Sequence, residues 1–598
     1  MRITRLWAAL AAVALGLAAC ANGGGEGRQA DPANLKINGD YVVPPTAHGN
    51  PFTAGYIGGG LEPYLQDSLF AFTPYGDTQF KPHLASDYEI DGSTITVTLK
   101  DDILWDDGSP ITAEDVVTSY QMWAGKKQIW EYLDSIEAES ENSIEFEFKV
   151  TSDLMMNLLR DVPIAATHED YGEWADQYRQ LLSEGRTWHP ETGTFWFSEE
   201  ATAEMSEINA SLEDFKPNIL ETPKSGAFTL TTLTTGEAVL TQNEYFWNDT
   251  GIEQLTVVRA TTPEVAANAM VDGTLDIHSG GMTEDLINQV RGRIPGFKEF
   301  YLPEYSQMSI VFNVTKEFAE DVAFREAMGY LLNPEMMLPL AEIGSLPAET
   351  TSTGLPPSLQ SALGLTDYAA SLGEREYNPE KAAEVLADGG YTQNPDGSWS
   401  NAEGVKVAFT FVCNNGWGSA LLPGEAYVND LKQFGFDVTF RPMESAAYDS
   451  FLRAGEHTVG IEFAPPSNIV YASAYGAYEQ LFRGRAWLFG LTADESGTIL
   501  LPDGNGGEVD VVGLTMSLFT ASGDQADEIT KQLMAVSNSN KLFIPYLEKG
   551  FPVRTLRTNI DLGVDDGALV QDPRFSGVGE TMFATLIAEG NLRAAIEG

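Results

Sequence analysis

Between Ser93 and Trp123 the sequence changes period, and that change limits the folds open to the chain. From Thr94 the run Thr-Ile-Thr-Val-Thr-Leu-Lys alternates threonine with apolar residues, the period of a strand with one buried face. Asp106-Asp107-Gly108-Ser109-Pro110 supplies a turn. Thr112 then reads as an N-cap with Glu114 and Asp115 in the first helical turn, and Val116, Tyr120 and Trp123 recur at helical spacing. The interleaving continues. Residues 227–233 and 238–242 flank Thr235-Gly236 as a hairpin, and 263–271 reads as a helix leading to a short strand at 275–278. Helices are predicted at 321–332 and 379–387, and strands at 406–412, 437–442 and 458–463. The pattern predicts an α/β fold with mixed sheets, and not a simple βαβ repeat.

The N-terminus has a different character. Arg2 and Arg5 precede an Ala-rich apolar run at residues 6–17. It is shorter than the roughly 20 residues of a membrane-spanning helix and fits a secretory signal over 1–19. Leu17-Ala18-Ala19-Cys20 resembles the lipobox of bacterial lipoproteins, in which the cysteine becomes a lipidated N-terminus. Residues 20–34, glycine-rich and polar, read as that lipidated cysteine and a flexible tether about 20 Å long on average. The remaining thiol, Cys413, lies in an apolar run and reads as a buried structural group, so no disulfide framework is expected.

Charge removes one class of partner. With 87 acidic against 35 basic side chains, the formal net charge is −52, and such a surface repels nucleic acid. A hydrophobic content of 43% argues against disorder. The acidity also opposes adsorption of the body onto anionic lipid.

Several blocks together resemble one family. Pro82-His-Leu84-Ala85, Trp105-Asp-Asp107-Gly108 and Ala113-Glu-Asp115-Val116 are followed by Asn243-Glu-Tyr-Phe-Trp247, Asp272-Gly273-Thr-Leu-Asp276-Ile277, Phe324-Arg325-Glu-Ala327 and Tyr377-Asn-Pro379. Their order and spacing resemble the family 5 extracellular solute-binding proteins, the oligopeptide, dipeptide, nickel and oligosaccharide receptors of bacterial ABC importers. The resemblance implies a two-lobed, periplasmic-binding-protein-like body at 35–598. One lobe would join 35–80, 217–305 and 540–598 and carry an inserted domain at 80–216, and the other would be 306–540. A solute would bind between lobes that close on it, and the closed form, a monomer, would dock on a membrane permease. The protein would be a lipid-anchored receptor on the extracytoplasmic face of the bacterial envelope, with no cofactor. No G-x-x-x-x-G-K-[ST] is present, in keeping with ATP hydrolysis on other subunits.

Peptide-binding relatives place an aspartate, partner of the peptide's α-ammonium, just after a strand that follows a motif like Arg453-Ala-Gly-Glu-His457. No aspartate lies between Thr458 and Asn468, where Glu462 is the only acid. That departure favours an oligosaccharide over an oligopeptide ligand. Sugar rings stack their C–H faces on aromatics and need amide and carboxylate partners. The candidate ligand residues are Trp417, Asn415, Glu462, Phe463, Tyr471, Tyr475 and Trp487, with Tyr305, Gln307, Asn50 and Phe52 as secondary choices. The scattered histidines offer no metal face, and His83 reads as a surface residue. Asp503-Gly-Asn505-Gly-Gly-Glu508 reads as a solvated hairpin turn and not as a calcium loop. The rival from another class is a secreted glycoside hydrolase, which needs two carboxylates about 5–10 Å apart. Neither H-E-x-x-H nor G-x-S-x-G occurs.

Overall fold

The structure, a computed structural model, describes residues 34–594 except 59, 73–79, 161, 191, 261, 295–296, 342, 349–350, 374–375, 466–472, 556–559 and 562–580. Cys20, the signal and nearly all of the tether, and Tyr471 lie outside the described residues.

The principal strands in chain order are β1 (Asn34–Asn38), β2 (Ala85–Asp91), β3 (Thr94–Leu99), β4 (Leu133–Ser140), β5 (Ser143–Phe148), β6 (Phe228–Leu233) and β7 (Glu237–Gln242). They continue with β8 (Gln254–Val258), β9 (Ile277–His278), β10 (Lys298–Phe312), β11 (Ala408–Asn414), β12 (Asp437–Met443), β13 (Val459–Phe463) and β14 (Phe543–Thr555). Ten of them form one mixed sheet in the order β6-β7-β8-β1-β9-β14-β10-β13-β11-β12. The parallel group β8-β1-β9 sits towards one end and the parallel group β13-β11-β12 at the other. Within this sheet the long antiparallel pair β10/β14 joins them.

That pair crosses between two cores. Phe300, Leu302 and Val553 pack with Leu35, Ile37, Leu255 and Ile277. Met308, Ile310, Phe312 and Ile544 pack instead with Phe324, Phe409, Phe411 and Ile461. Between the two stretches the register breaks: Pro303 faces Gly550, and the next paired residues are Gln307 and Glu548. Inside this bulge Tyr305 takes a left-handed backbone, with φ of +54°. A bulge bends its strand and strengthens the local twist, which re-aims β10 from one core to the other. Gly550 is required opposite the bulge, because a Cβ there would meet the carbonyl oxygen of Gly344 at 2.2 Å.

Residues 85–148 form a separate four-stranded antiparallel sheet, β2-β3-β5-β4. Ile95, Val97 and Leu99 point to one face, as the threonine alternation predicts. Helix α1 (Ala113–Met122) covers it, started by a reciprocal capping box between Thr112 and Asp115. The core under this sheet continues without a break into Tyr475, Tyr478, Phe489 and Phe519, which come from the chain after β13. Residues 85–148 and the chain after β13 therefore share one core.

The predicted hairpin, helices and strands are present within a few residues of their predicted ends. Cys413 is fully buried in β11, and burial pushes its thiol up to about 12. Asp503 accepts the backbone N–H groups of Asn505 and Gly507 at 2.7 and 2.9 Å, as a turn aspartate does. His83 is a correction: it is 4% exposed, with Nδ1 at 2.7 Å from Asp67 and its ring against Trp247. A neighbouring acid pair gives it a buried place that a single-residue reading misses.

Candidate functional site

Two of the expected ligand residues, Glu462 and Phe463, end β13. Its pairing with β10 places Glu462 opposite Ser309, and Phe463 closes the strand. Glu462 is only 5% exposed; one oxygen accepts the Phe463 N–H at 2.9 Å and lies 3.3 Å from Arg485. Burial raises its carboxyl pKa, while the Arg485 guanidinium works against that rise. Arg485 also donates to the Phe463 carbonyl at 2.8 Å. The one acid of this loop is thus already neutralised by the protein.

Trp417 is brought against the end of the same strand. Asn414 ends β11, its side chain accepts the Gly416 N–H, and Trp417 is the N-cap of the helix Gly418–Phe434. The indole lies 5.2 Å from the Phe463 ring and 5.9 Å from Tyr448. Asn415 is exposed beside it, held through its backbone to Met443. Trp487 follows Arg485 and is flanked by two guanidinium groups, those of Arg453 at 4.8 Å and Arg485 at 5.8 Å from the ring.

Tyr475 reaches the other half. Its hydroxyl meets that of Tyr132 at 2.7 Å and accepts from the Gln128 amide at 2.7 Å. Tyr132 in turn stacks on Phe519 at 3.7 Å. One helical turn on from Glu479, Arg483 forms an ion pair with Glu131 at 2.8 Å as well as with Glu479. Ser152 donates to the Phe519 carbonyl. These contacts clasp residues 128–152 to residues 475–519.

Beside the clasp lies a cavity of about 420 Å³ with walls from both halves. A hairpin, Arg186–His189 with Thr194–Phe197, contributes Thr192, Thr194 and Trp196. The far wall includes Phe482, Arg483 and Trp487. The Trp196 indole donates to Thr194 at 2.9 Å and stacks on His189, which fixes its plane. Two tryptophans, hydroxyls and a cation around one opening suit a ligand with apolar faces and many polar edges.

Four expected site residues are buried and do not line this cavity. Asn50 is 0% exposed, and its amide is spent on the Leu212 and Phe215 carbonyls and the Phe52 N–H. Phe52 packs edge-on against Trp123 and Tyr171 in the core. Tyr305 and Gln307 are buried in the β10/β14 crossing, where Gln307 pairs through its backbone with Ala464 and Pro465. Conversely, Trp196 and Arg483 line the cavity, and Tyr132 and Gln128 join the contact with Tyr475, without a sequence signal. Their partners lie far away in sequence, so no local pattern marks them. Among the described residues no group of three or more His, Cys, Asp or Glu side chains could hold a metal, and no helix is long and apolar enough to cross a membrane.

With this geometry in place, comparison with known proteins is decisive on family. The profile of bacterial extracellular solute-binding proteins, family 5 Middle, matches residues 79–479. The chain belongs to that family. It is a family of solute-binding proteins and not of enzymes. A probable ABC transporter-binding protein of Deinococcus radiodurans is 26% identical over 385 residues, which is 58% of this chain and 58% of that protein. The chain thus spans less than two thirds of that relative's length in the match. The fold is shared with a periplasmic oligopeptide-binding protein of an oligopeptide ABC transporter from Thermotoga maritima. Its structure has a TM-score of 0.72 at 20% identity and covers 94% of this chain and 99% of that one. The mannohexaose-bound structure of that protein gives 0.67 at 19% identity, over 95% and 99%. An oligopeptide-binding protein from Thermus thermophilus, complexed with a pentapeptide, gives 0.60 at 18% identity, over 89% and 93%.

Proposed function

We propose that this family 5 solute-binding protein is the lipid-anchored receptor of an ABC importer and captures an oligosaccharide between its lobes. The observation that carries the reading is the cavity walled by Trp196 from one half and Trp487 from the other. A ring bound there would be enclosed from both sides, so its contacts exist only when the halves meet. Ligand affinity then becomes closure, because a ligand shifts the equilibrium by its differential affinity for the closed state. Two points support sugar over peptide. Glu462 is buried and paired with Arg485, which leaves no free carboxylate among the described residues of that loop for an α-ammonium. The Thermotoga maritima protein of the same fold binds mannohexaose.

In this reading residues 1–19 are a signal, Cys20 carries the lipid, and 20–34 tether the body. The first lobe is 35–80, 217–305 and 540–598 with its insert at 80–216, and the second is 306–540. Closure presents both lobes to a permease at the extracytoplasmic face of the membrane. The deciding experiment is a thermal-shift screen with mannohexaose, other oligosaccharides and oligopeptides. A bound ligand at 100 times its Kd adds about 2.7 kcal/mol of stability. Stabilisation by peptides alone overturns the sugar assignment, and cleavage of an oligosaccharide overturns the receptor assignment. Cys20→Ala is expected to move the protein from the membrane fraction to the soluble one.

A further inference from the structure

The cavity beside the clasp changes character between its opening and its inner wall. Trp196 and Thr492 are exposed at the opening, and Leu491 is half-buried. Val512 and Met516 line the inner wall and keep 8% and 9% of their surface exposed. They lie four residues apart on the helix Val511–Thr520, so one helix face carries both. Trp196 is 38% exposed and yet held in one orientation, stacked on His189 at 4.4 Å with its indole N–H donated to Thr194 at 2.9 Å. An open aromatic face kept in a fixed plane suits a bound group better than it suits bulk water.

The polar capacity of the wall is small. Thr192 and Thr194 bond to each other at 2.9 Å, and Thr194 also takes the Trp196 N–H. Arg483 is held by Glu131 at 2.8 Å and by Glu479 at 3.4 Å. Among the described residues that line the cavity there is no Asn, Gln, Asp or Glu. A sugar ring carries hydroxyls around its whole edge, and each one taken from water without a partner is penalised. The ring therefore belongs at the opening, against the two tryptophans, where its edge stays wet. A group that fills the inner part has to be apolar. On the reading of this cavity as an oligosaccharide site, we propose that the solute is a glycoside bearing an apolar substituent, an aryl or short alkyl group that packs on Leu491, Val512 and Met516.

Isothermal titration of the whole protein with phenyl glucoside, glucose and mannohexaose tests this. Phenyl glucoside is expected to bind one-to-one and at least tenfold more tightly than glucose, as burial of a phenyl ring requires. Val512→Thr with Met516→Gln keeps the shape of the inner wall and makes it polar. That pair is expected to cut the preference for phenyl glucoside over glucose at least threefold, with folding checked by melting curves. Leu491→Asn, nearer the opening, is expected to act in the same direction and covers the case in which the double variant does not fold. The proposal is overturned if the two glucosides bind equally, if neither gives saturable heat, or if the folded variants keep the full preference. Mannohexaose binding that persists in any of these cases leaves the proposed function standing while the apolar substituent is ruled out.

Discussion

The hydroxyls of Tyr132 and Tyr475 meet at 2.7 Å, although 343 residues separate them in sequence. Each tyrosine belongs to a different half of the molecule, and each is buried. The contact exists only while the halves are together, so in the proposed hinge closure it would stabilise the closed state and not an open one. Beside it, the Arg483–Glu131 ion pair is only partly buried. Tyr475→Phe removes the hydroxyl that both Tyr132 and Gln128 use, and Arg483→Gln removes the ion pair. Each is expected to weaken ligand binding about three- to tenfold, since a hydrogen bond contributes about 0.5–1.5 kcal/mol. Titration calorimetry checks this; the Arg483→Gln effect should shrink with added salt and the Tyr475→Phe effect should not.

The two tryptophans near β13 are expected to behave differently. Trp487 lines the interlobe cavity, so Trp487→Ala should cost about tenfold in ligand affinity with little change in melting temperature. Trp417 packs on Phe463 and Tyr448, so Trp417→Ala should lower stability by about 3 kcal/mol. Denaturant unfolding and ligand titration on both variants separate the roles. A large affinity loss at Trp417 without destabilisation would make it a ligand platform instead.

The parts of this molecule that sequence reveals are those whose signal is local. The Thr94–Leu99 alternation, the Thr112–Asp115 capping box and the Thr235-Gly236 turn each carry their physics within a few residues, and each is found where expected. Trp487 and Tyr475 can be placed near the cleft because a family motif fixes where β13 ends. Trp196 and Gln128 cannot, because their relevance depends on partners more than 280 residues away. Asn50 misleads for a related reason. An amide in a loop looks available, but its donors and acceptor are taken by Leu212, Phe215 and Phe52. Glu462 stands out by its type, and only Arg485, delivered by a later helical segment, shows that its charge is already met.

His83 makes stability depend on alkaline pH. Burial alone would lower its pKa, but Asp67 at 2.7 Å, with Glu589 further off, raises it to about 9. Lys100 and Lys81 also face this cluster, donating to the His83 carbonyl and pairing with Glu589 respectively. A histidine whose pKa rises on folding stabilises the fold fully below its unfolded value of about 6.5. That contribution, on the order of 3 kcal/mol, is lost as pH rises through about 9. Wild type should therefore lose urea stability between pH 6.5 and 9.5 beyond any loss in His83→Gln. Parallel curves for the two proteins would show that His83 is neutral in the fold.

Glu548 has the opposite sign. It is 0% exposed in the β10/β14 crossing, where one oxygen accepts the Ser358 N–H at 3.1 Å and the other has no partner. Burial pushes its carboxyl up to about 7, with the Ser358 hydrogen bond opposing. In the unfolded chain the same group ionises near 4.5. The folded state therefore holds a proton that the unfolded state has lost, and stability falls as pH rises from about 4.5 to 7. Above that range the penalty is constant, on the order of 3 kcal/mol. Glu548→Gln replaces the carboxyl with a neutral side chain of the same shape and removes the penalty. The variant should be more stable than wild type at pH 8 by roughly 1–3 kcal/mol, with the advantage disappearing near pH 4. Urea midpoints at the two pH values decide it. Equal stabilities at pH 8 would mean that the Glu548 carboxylate is solvated or paired at the crossing.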